Sequence, residues 1–254
     1  MTERAEIEAL GLTKVFADPS RGSVLAVDGV SFRAGPGEIL GLLGPNGAGK
    51  TTTLRMLATV LRPTSGTARV GGKDILEDPV GVRRSMGFLS GTTALYARLT
   101  PRETLRFFGR LHGLEDPLLE ERVEGLLRRL DLLEYASTRL ERLSTGNQQK
   151  VNLARTVLHD PPVLILDEPT SGLDVLAAGT LMEFLEERRA AGRCILFSTH
   201  ILSEVERLCD RVAVIYQGSL EAQGTVEELA ELTGEKYLER IFLALVRKGG
   251  RRTS

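Results

Sequence analysis

The sequence has 254 residues, 33 basic against 34 acidic side chains, a formal net charge of −1, and 42% hydrophobic residues. That length suits one large α/β domain, or a domain with a subdomain. The balanced charge excludes the basic footprint of a nucleic-acid binder, and no apolar run approaches the ~18 residues of a membrane span. With no signal-peptide pattern at its start, the chain is expected to be soluble and cytoplasmic. Cys194 and Cys209 lack metal-ligand spacing and are expected to be buried thiols.

Ile7 to Phe16 has the composition of a strand, followed by a polar loop from Ala17 to Gly22. Val24 to Arg33 alternates in part and closes at the turn Gly35-Pro36-Gly37. Phe16 stands at a strand end, where its ring can stack on a nucleotide base or fill the core; composition favours the core. Ile39 to Leu43 is a short apolar run of buried-strand type. It leads into Gly44-Pro45-Asn46-Gly47-Ala48-Gly49-Lys50-Thr51-Thr52, which fits the phosphate-binding pattern G-x-x-x-x-G-K-[ST]. Thr51 to Ala58 then reads as a helix. A strand, a glycine-rich loop and a helix together give that pattern its meaning. The glycines let successive backbone N–H groups face one centre, and the helix N-terminus adds partial positive charge. Lys50 is placed to reach β- and γ-phosphates, and the Thr51 hydroxyl to ligate Mg²⁺.

Further on, Gly66 to Val70 and Met86 to Leu89 read as strands. Thr100-Pro101-Arg102-Glu103 is a capping box with proline at the first helical position, opening a helix that Gly113 ends. A second helix starts at Asp116-Pro117, with Leu119, Val123, Leu126, Leu127 and Leu130 on one face. The stretch from about Gly91 to Asp160 therefore reads as a helical insert. The α/β pattern resumes at Val163-Leu164-Ile165-Leu166-Asp167-Glu168, a buried strand delivering two carboxylates at its C-terminal edge, where open α/β sheets bind ligands. Asp174 caps a helix ending near Gly192, and Cys194 to Phe197 is a strand running into Ser198-Thr199-His200. Val212 to Tyr216 and Ser219 to Gln223 form a hairpin; a capping box at Thr225 to Glu228 and a helix at about Lys236 to Arg247 follow. Arg247 to Arg252 reads as a solvated basic tail.

Phosphoryl transfer depends on positioning and charge neutralisation. Asp167 is suited to hold Mg²⁺ through water beside Thr51, and Glu168 to polarise an attacking water as general base. Leu143-Ser144-Thr145-Gly146-Asn147 precedes a helix and by itself reads as an ordinary N-cap. His200, His112 and His159 each read, taken alone, as structural histidines.

In this order, the phosphate loop, Leu143 to Asn147, Val163 to Glu168, Ser171-Gly172-Leu173-Asp174 and His200 resemble the ATP-binding cassette of ABC transporters, over Ile7 to about Glu231. The stretch from Phe88 to Thr100 is similar to the sodium-extrusion and drug-export branch. The resemblance implies an α/β fold: a P-loop NTPase core with a mixed sheet, an antiparallel β-subdomain and an inserted helical subdomain. Residues 1–231 would form the ATPase domain, and 232–254 a C-terminal helix and tail. It implies a head-to-tail homodimer holding ATP and Mg²⁺, in which Leu143, Ser144, Thr145, Gly146 and Asn147 close over the partner's ATP. Ser171, Gly172, Leu173 and Asp174 would be the D-loop at the dimer interface, His200 the switch histidine, and Phe16 the base-stacking aromatic. It further implies a separate integral membrane permease at the cytoplasmic face of the cell membrane, with no nucleic acid bound. The alternative is a soluble ABC ATPase acting on nucleic acid or the ribosome, which the single cassette and the charge oppose. The chain departs from the family pattern at Thr145, where glycine is usual, at Asn147, where glutamine is frequent, and at Gly91, which stands where a Mg²⁺-contacting glutamine is expected. A hydroxyl from Ser90, Thr92 or Thr93 is a candidate to orient a water in that glutamine's place.

Overall fold

The computed structural model describes residues 6–18, 22–91 and 95–249, and side chains through 247; Thr92, Thr93 and residues 250–252 of the basic tail lie outside them. Two sheets and a set of helices surround three apolar clusters. The first sheet is antiparallel: β1 (Ile7–Asp18), β2 (Gly22–Ala34), β4 (Ser65–Val70) and β5 (Lys73–Asp74) in the order β2-β1-β4-β5. The second has six strands, β3 (Ile39–Leu43), β6 (Met86–Leu89), β7 (Val163–Asp167), β8 (Cys194–Thr199), β9 (Arg211–Tyr216) and β10 (Ser219–Gly224), in the order β10-β9-β3-β8-β7-β6. Only the β9–β10 pair is antiparallel, so the sheet is mixed, as expected.

The unbroken apolar runs of β3, β7 and β8 are each buried at every position, which is what strands covered on both faces require. Helix α1 (Lys50–Leu57) follows β3 across the phosphate loop and buries Leu54, Met56 and Leu57 against β7 and the antiparallel sheet. The hairpin β9–β10 turns at Gln217 (φ 47°) and Gly218 (φ 85°), the two positive angles of the tight turn that suits the strand twist.

The insert forms a helical layer of α3 (Pro101–Leu111), α4 (Asp116–Arg129) and α5 (Thr145–Val157). The capping box at Thr100 and Glu103 is present, and Leu119, Val123, Leu127 and Leu130 are buried with Leu105, Leu153 and Leu164 in one cluster; Leu126 of the same face is half-buried. After β7 come α6 (Val175–Ala190), α7 (Leu202–Leu208), α8 (Val226–Thr233) and α9 (Leu238–Gly249). The boundary expected at 231 lies within α8, and Leu238, Ile241 and Leu245 of α9 share a buried cluster with Leu43, Val205, Val212 and Val214 of the central sheet and α7. The start of the basic tail, Arg247 to Gly249, is the last turn of α9. Among the described residues no helix is long and apolar enough to cross a membrane. Cys194 is buried and Cys209 nearly so, and desolvation pushes both thiols well above their usual range.

Candidate active site

Strand register assembles the site. In the parallel β3–β8 pair Leu43 lies opposite Thr199, and in the β7–β8 pair Asp167 lies opposite Ser198. The phosphate loop, the two acids and His200 therefore leave the sheet at one edge. Around Gly49 the loop takes φ 105°, and a Cβ there would lie 2.7 Å from the Ala26 carbonyl oxygen, so only glycine fits. That approach pins the loop to β2.

Lys50 is only 4% exposed. Its ammonium donates to the carbonyls of Gly44 (2.7 Å) and Pro45 (3.1 Å) and stands 3.8 Å from Glu168 Oε1. Burial pulls its pKa below the ordinary lysine range, against the attraction of Glu168 and Asp167, which hold it charged. The Thr51 hydroxyl donates to Asp167 Oδ1 at 3.0 Å, and Ser198 Oγ donates to the same oxygen at 2.7 Å. Two hard oxygen donors at that separation fit Mg²⁺, which takes one or two protein oxygens and completes its shell with phosphates and water. Among the described residues there is no cluster of three or more His, Cys, Asp or Glu that would make a denser metal cage.

Glu168 occupies left-handed backbone, φ 47°, a region a non-glycine residue holds only when its surroundings impose it. Its amide donates to Ser198 Oγ (3.1 Å), and its carboxylate meets His200 Nδ1 at 3.2 Å. Phe16 is 39% exposed with Lys14 Nζ 5.3 Å from its ring centroid. It pairs with Val24, three residues along β2 from the Val27 that neighbours Gly49, or about 10 Å from the loop at strand spacing. A hollow lined by Pro45, Asn46, His200, Leu202 and Phe242 brings α9 to the edge of the site.

The match to the ABC transporter family spans residues 27–171, from β2 through the phosphate loop and α5 to the turn after β7. The chain belongs to the ABC transporter family. It is 40% identical over 227 residues to the ATP-binding protein NatA of Bacillus subtilis, covering 89% of this chain and 92% of that one. It is 42% identical over 210 residues to the Nod factor export ATP-binding protein I of Paraburkholderia xenovorans, covering 83% and 69%. A solved ATP-binding subunit of an ABC transporter superposes with a TM-score of 0.85 at 32% identity, over 94% of this chain and 98% of that one. A dimeric cassette bound to ADP and phosphate shares the fold, with a TM-score of 0.80 at 23% identity over 87% and 98%. The protein is thus an ABC ATP-binding subunit whose chemistry is ATP hydrolysis, and the reading as a soluble ABC ATPase acting on nucleic acid is not favoured.

The rest of the cassette divides into two groups. In the ABC subunit Ser144 is the N-cap of α5 and accepts from the Asn147 amide at 3.2 Å, with Ser144 and Thr145 exposed and Leu143 buried beneath them. The segment Ser171 to Asp174 packs beside this turn: a Cβ on Gly172 would lie 3.8 Å from the Thr145 methyl, and one on Gly146 would lie 3.7 Å from Leu173. Ser171 donates its amide to the Glu168 carbonyl (3.1 Å), while Asp174 caps α6 by accepting from Ala177 (2.8 Å). Gln149 Nε2 donates to the Pro169 carbonyl (3.0 Å), tying α5 to the turn after Glu168. Sequence reasoning passed over Ser198, Thr170, Thr199 and Glu204, all buried at the ends of β7 and β8 or on α7. Gly91 follows the end of β6; among the described residues, a Cβ there would meet only the Asp167 carbonyl oxygen, at 3.9 Å. His112 and His159 lie elsewhere, stacked 3.8 Å apart; burial, with His112 alongside, pulls His159 down to about 4.

Proposed function

We propose that the chain is the nucleotide-binding subunit of an ABC exporter, working as a head-to-tail homodimer beneath a separate membrane permease at the cytoplasmic face. The export assignment rests on relatives such as the Nod factor export protein. In this reading the phosphate loop, Gly44 to Thr52, cradles the ATP phosphates, with Lys50 on the β- and γ-phosphates and Phe16 against the base. Thr51, and Asp167 through water, hold Mg²⁺, which supplies positive charge to the phosphates. Glu168 accepts the proton of the attacking water, and His200 orients Glu168 and donates to the γ-phosphate. Leu143 to Asn147 of the partner subunit closes over the nucleotide, with Ser171 to Asp174 at the joint.

The observation that carries this reading is the contact of His200 Nδ1 with Glu168 Oε1, 3.2 Å, beside a buried Lys50. A base, the group that orients it and the phosphate cation then converge on one point. The test is Glu168→Gln. Turnover should fall by about 10²–10⁴-fold, the usual cost of losing such a group, while ATP binding survives and an ATP-bound dimer accumulates on size-exclusion chromatography. Near-normal turnover removes Glu168 from the role.

A further inference from the structure

Glu204 opens α7, four residues beyond His200, and is 4% exposed. One of its carboxylate oxygens accepts a short hydrogen bond from the Thr170 hydroxyl, and the other accepts from the Thr199 hydroxyl at 2.5 Å. No cation pairs with it among the ion pairs of the described residues. A buried carboxylate is costly unless its hydrogen bonds are strong, and mere filling of that space would be done as well by an apolar side chain.

What the carboxylate joins is informative. Thr170 lies two residues beyond Glu168, on the turn leaving β7, and Thr199 is the last residue of β8, adjacent to His200. Thr199 Oγ1 also accepts from the Ile201 amide at 3.0 Å. Glu204 therefore straddles the two turns that carry Glu168 and His200. Ser198 joins the same two strands one layer closer to the sheet, through Asp167 Oδ1 and the Glu168 amide. The left-handed backbone of Glu168 needs such restraint from both sides.

We propose that Glu204 is a positioning residue for ATP hydrolysis: by holding Thr170 and Thr199 on its two oxygens, it fixes the separation of Glu168 and His200 without touching nucleotide. This rests on the assignment of Glu168 and His200 to hydrolysis. Positioning of reacting groups is steep in rate, a misplacement of about 1 Å costing on the order of 10²-fold, and weak in binding.

The test uses the purified full chain, with kcat from steady-state ATPase, the Kd of trinitrophenyl-ATP and the Tm measured for each variant. Glu204→Ala should lose about 10- to 100-fold in kcat with Kd within about twofold of wild type. Glu204→Gln, whose amide can accept from one threonine and donate to the other, should recover most of the rate. Thr170→Val should show a smaller loss, and combining it with Glu204→Ala should add little, because the two share one interaction. Val123→Ala, in the core of α4, should lower Tm without changing kcat. If Glu204→Ala keeps kcat within about twofold, or loses kcat and affinity together with no rescue by Gln, the proposal is overturned. If the alanine variant does not fold, Thr170→Val answers the same question through the same split of kcat from Kd. A fast Glu168→Gln beside a slow Glu204→Ala would strike down the base assignment, whereas a slow Glu168→Gln beside a fast Glu204→Ala would strike down only the anchoring.

Discussion

At the N-terminus of α1 the phosphate loop is enclosed: Lys50 is buried, Thr51 and Ser198 converge on Asp167, and Gly49 packs on the β2 backbone. At the N-terminus of α5 the turn from Leu143 to Asn147 is open, with Ser144 and Thr145 exposed and the Ser144 hydroxyl spent on capping Asn147. Both are helix starts suited to an anion, but among the described residues only the first stands beside the buried ammonium of Lys50 and the carboxylates of Asp167 and Glu168. The second borders Ser171 to Asp174, beyond which Val175 and Leu176, 88% and 84% exposed, stand in the first turn of α6. A helix start flanked by bare apolar side chains is the arrangement expected of the half-site proposed above.

Damage to the two halves should therefore differ in kind. Lys50→Ala removes the phosphate cation and should abolish turnover, by 10³-fold or more, while weakening ATP binding by the isolated subunit, measured with trinitrophenyl-ATP. Ser144→Arg should cost nearly as much turnover yet leave that binding within about twofold, as the proposed action of the residue on the partner's nucleotide requires. Equal losses of affinity in both variants would erase the distinction. Phe16→Ala should be milder: one base–aromatic stack contributes on the order of 1 kcal/mol, or about fivefold in the KM for ATP, with kcat little changed. Smallest of all is Gly91→Gln. Among the described residues a Cβ there meets only the Asp167 carbonyl oxygen, at van der Waals distance, so ATPase activity of the isolated subunit should stay within about twofold. The Mg²⁺ concentration for half-maximal rate should hold or fall as the amide oxygen replaces a water. A collapse of activity would show that the loop takes another path.

The closed half was legible in the sequence because its signals are local. A strand, glycine-rich loop and helix in succession place Lys50 and Thr51, and four apolar residues before two acids place Asp167 and Glu168. The same holds for the capping boxes at Thr100 and Thr225, both of which form. What escaped was lateral. Ser198 faces Asp167 only because β8 is inserted between β3 and β7, which no run of residues records. Glu204 carries no local sign of a role in the sequence, and acquires its partners only when α7 folds it beneath two strand ends. Helix α2 (Pro79–Ser85) carried a readable signal that was missed, with Asp78 as N-cap, accepting from Gly81 at 2.8 Å, and proline at the first turn. The place of α9 depended on a cluster shared with Leu43, almost two hundred residues away in sequence. The start of α5 was legible as a helix cap and nothing more, because the role proposed for it crosses a dimer interface that one chain's sequence does not record.

The most direct test of two complementary halves is ATPase activity after mixing Lys50→Ala and Ser144→Arg protomers, each nearly inactive alone. A mixed dimer has one doubly damaged site and one site with an intact Lys50 and an intact Ser144. Activity should therefore return on mixing, rise with the fraction of mixed dimer and peak near equal amounts. If mixed dimers form, as mass spectrometry of the ATP-bound species would show, and no hydrolysis returns at any ratio, the sites are not shared between protomers as described.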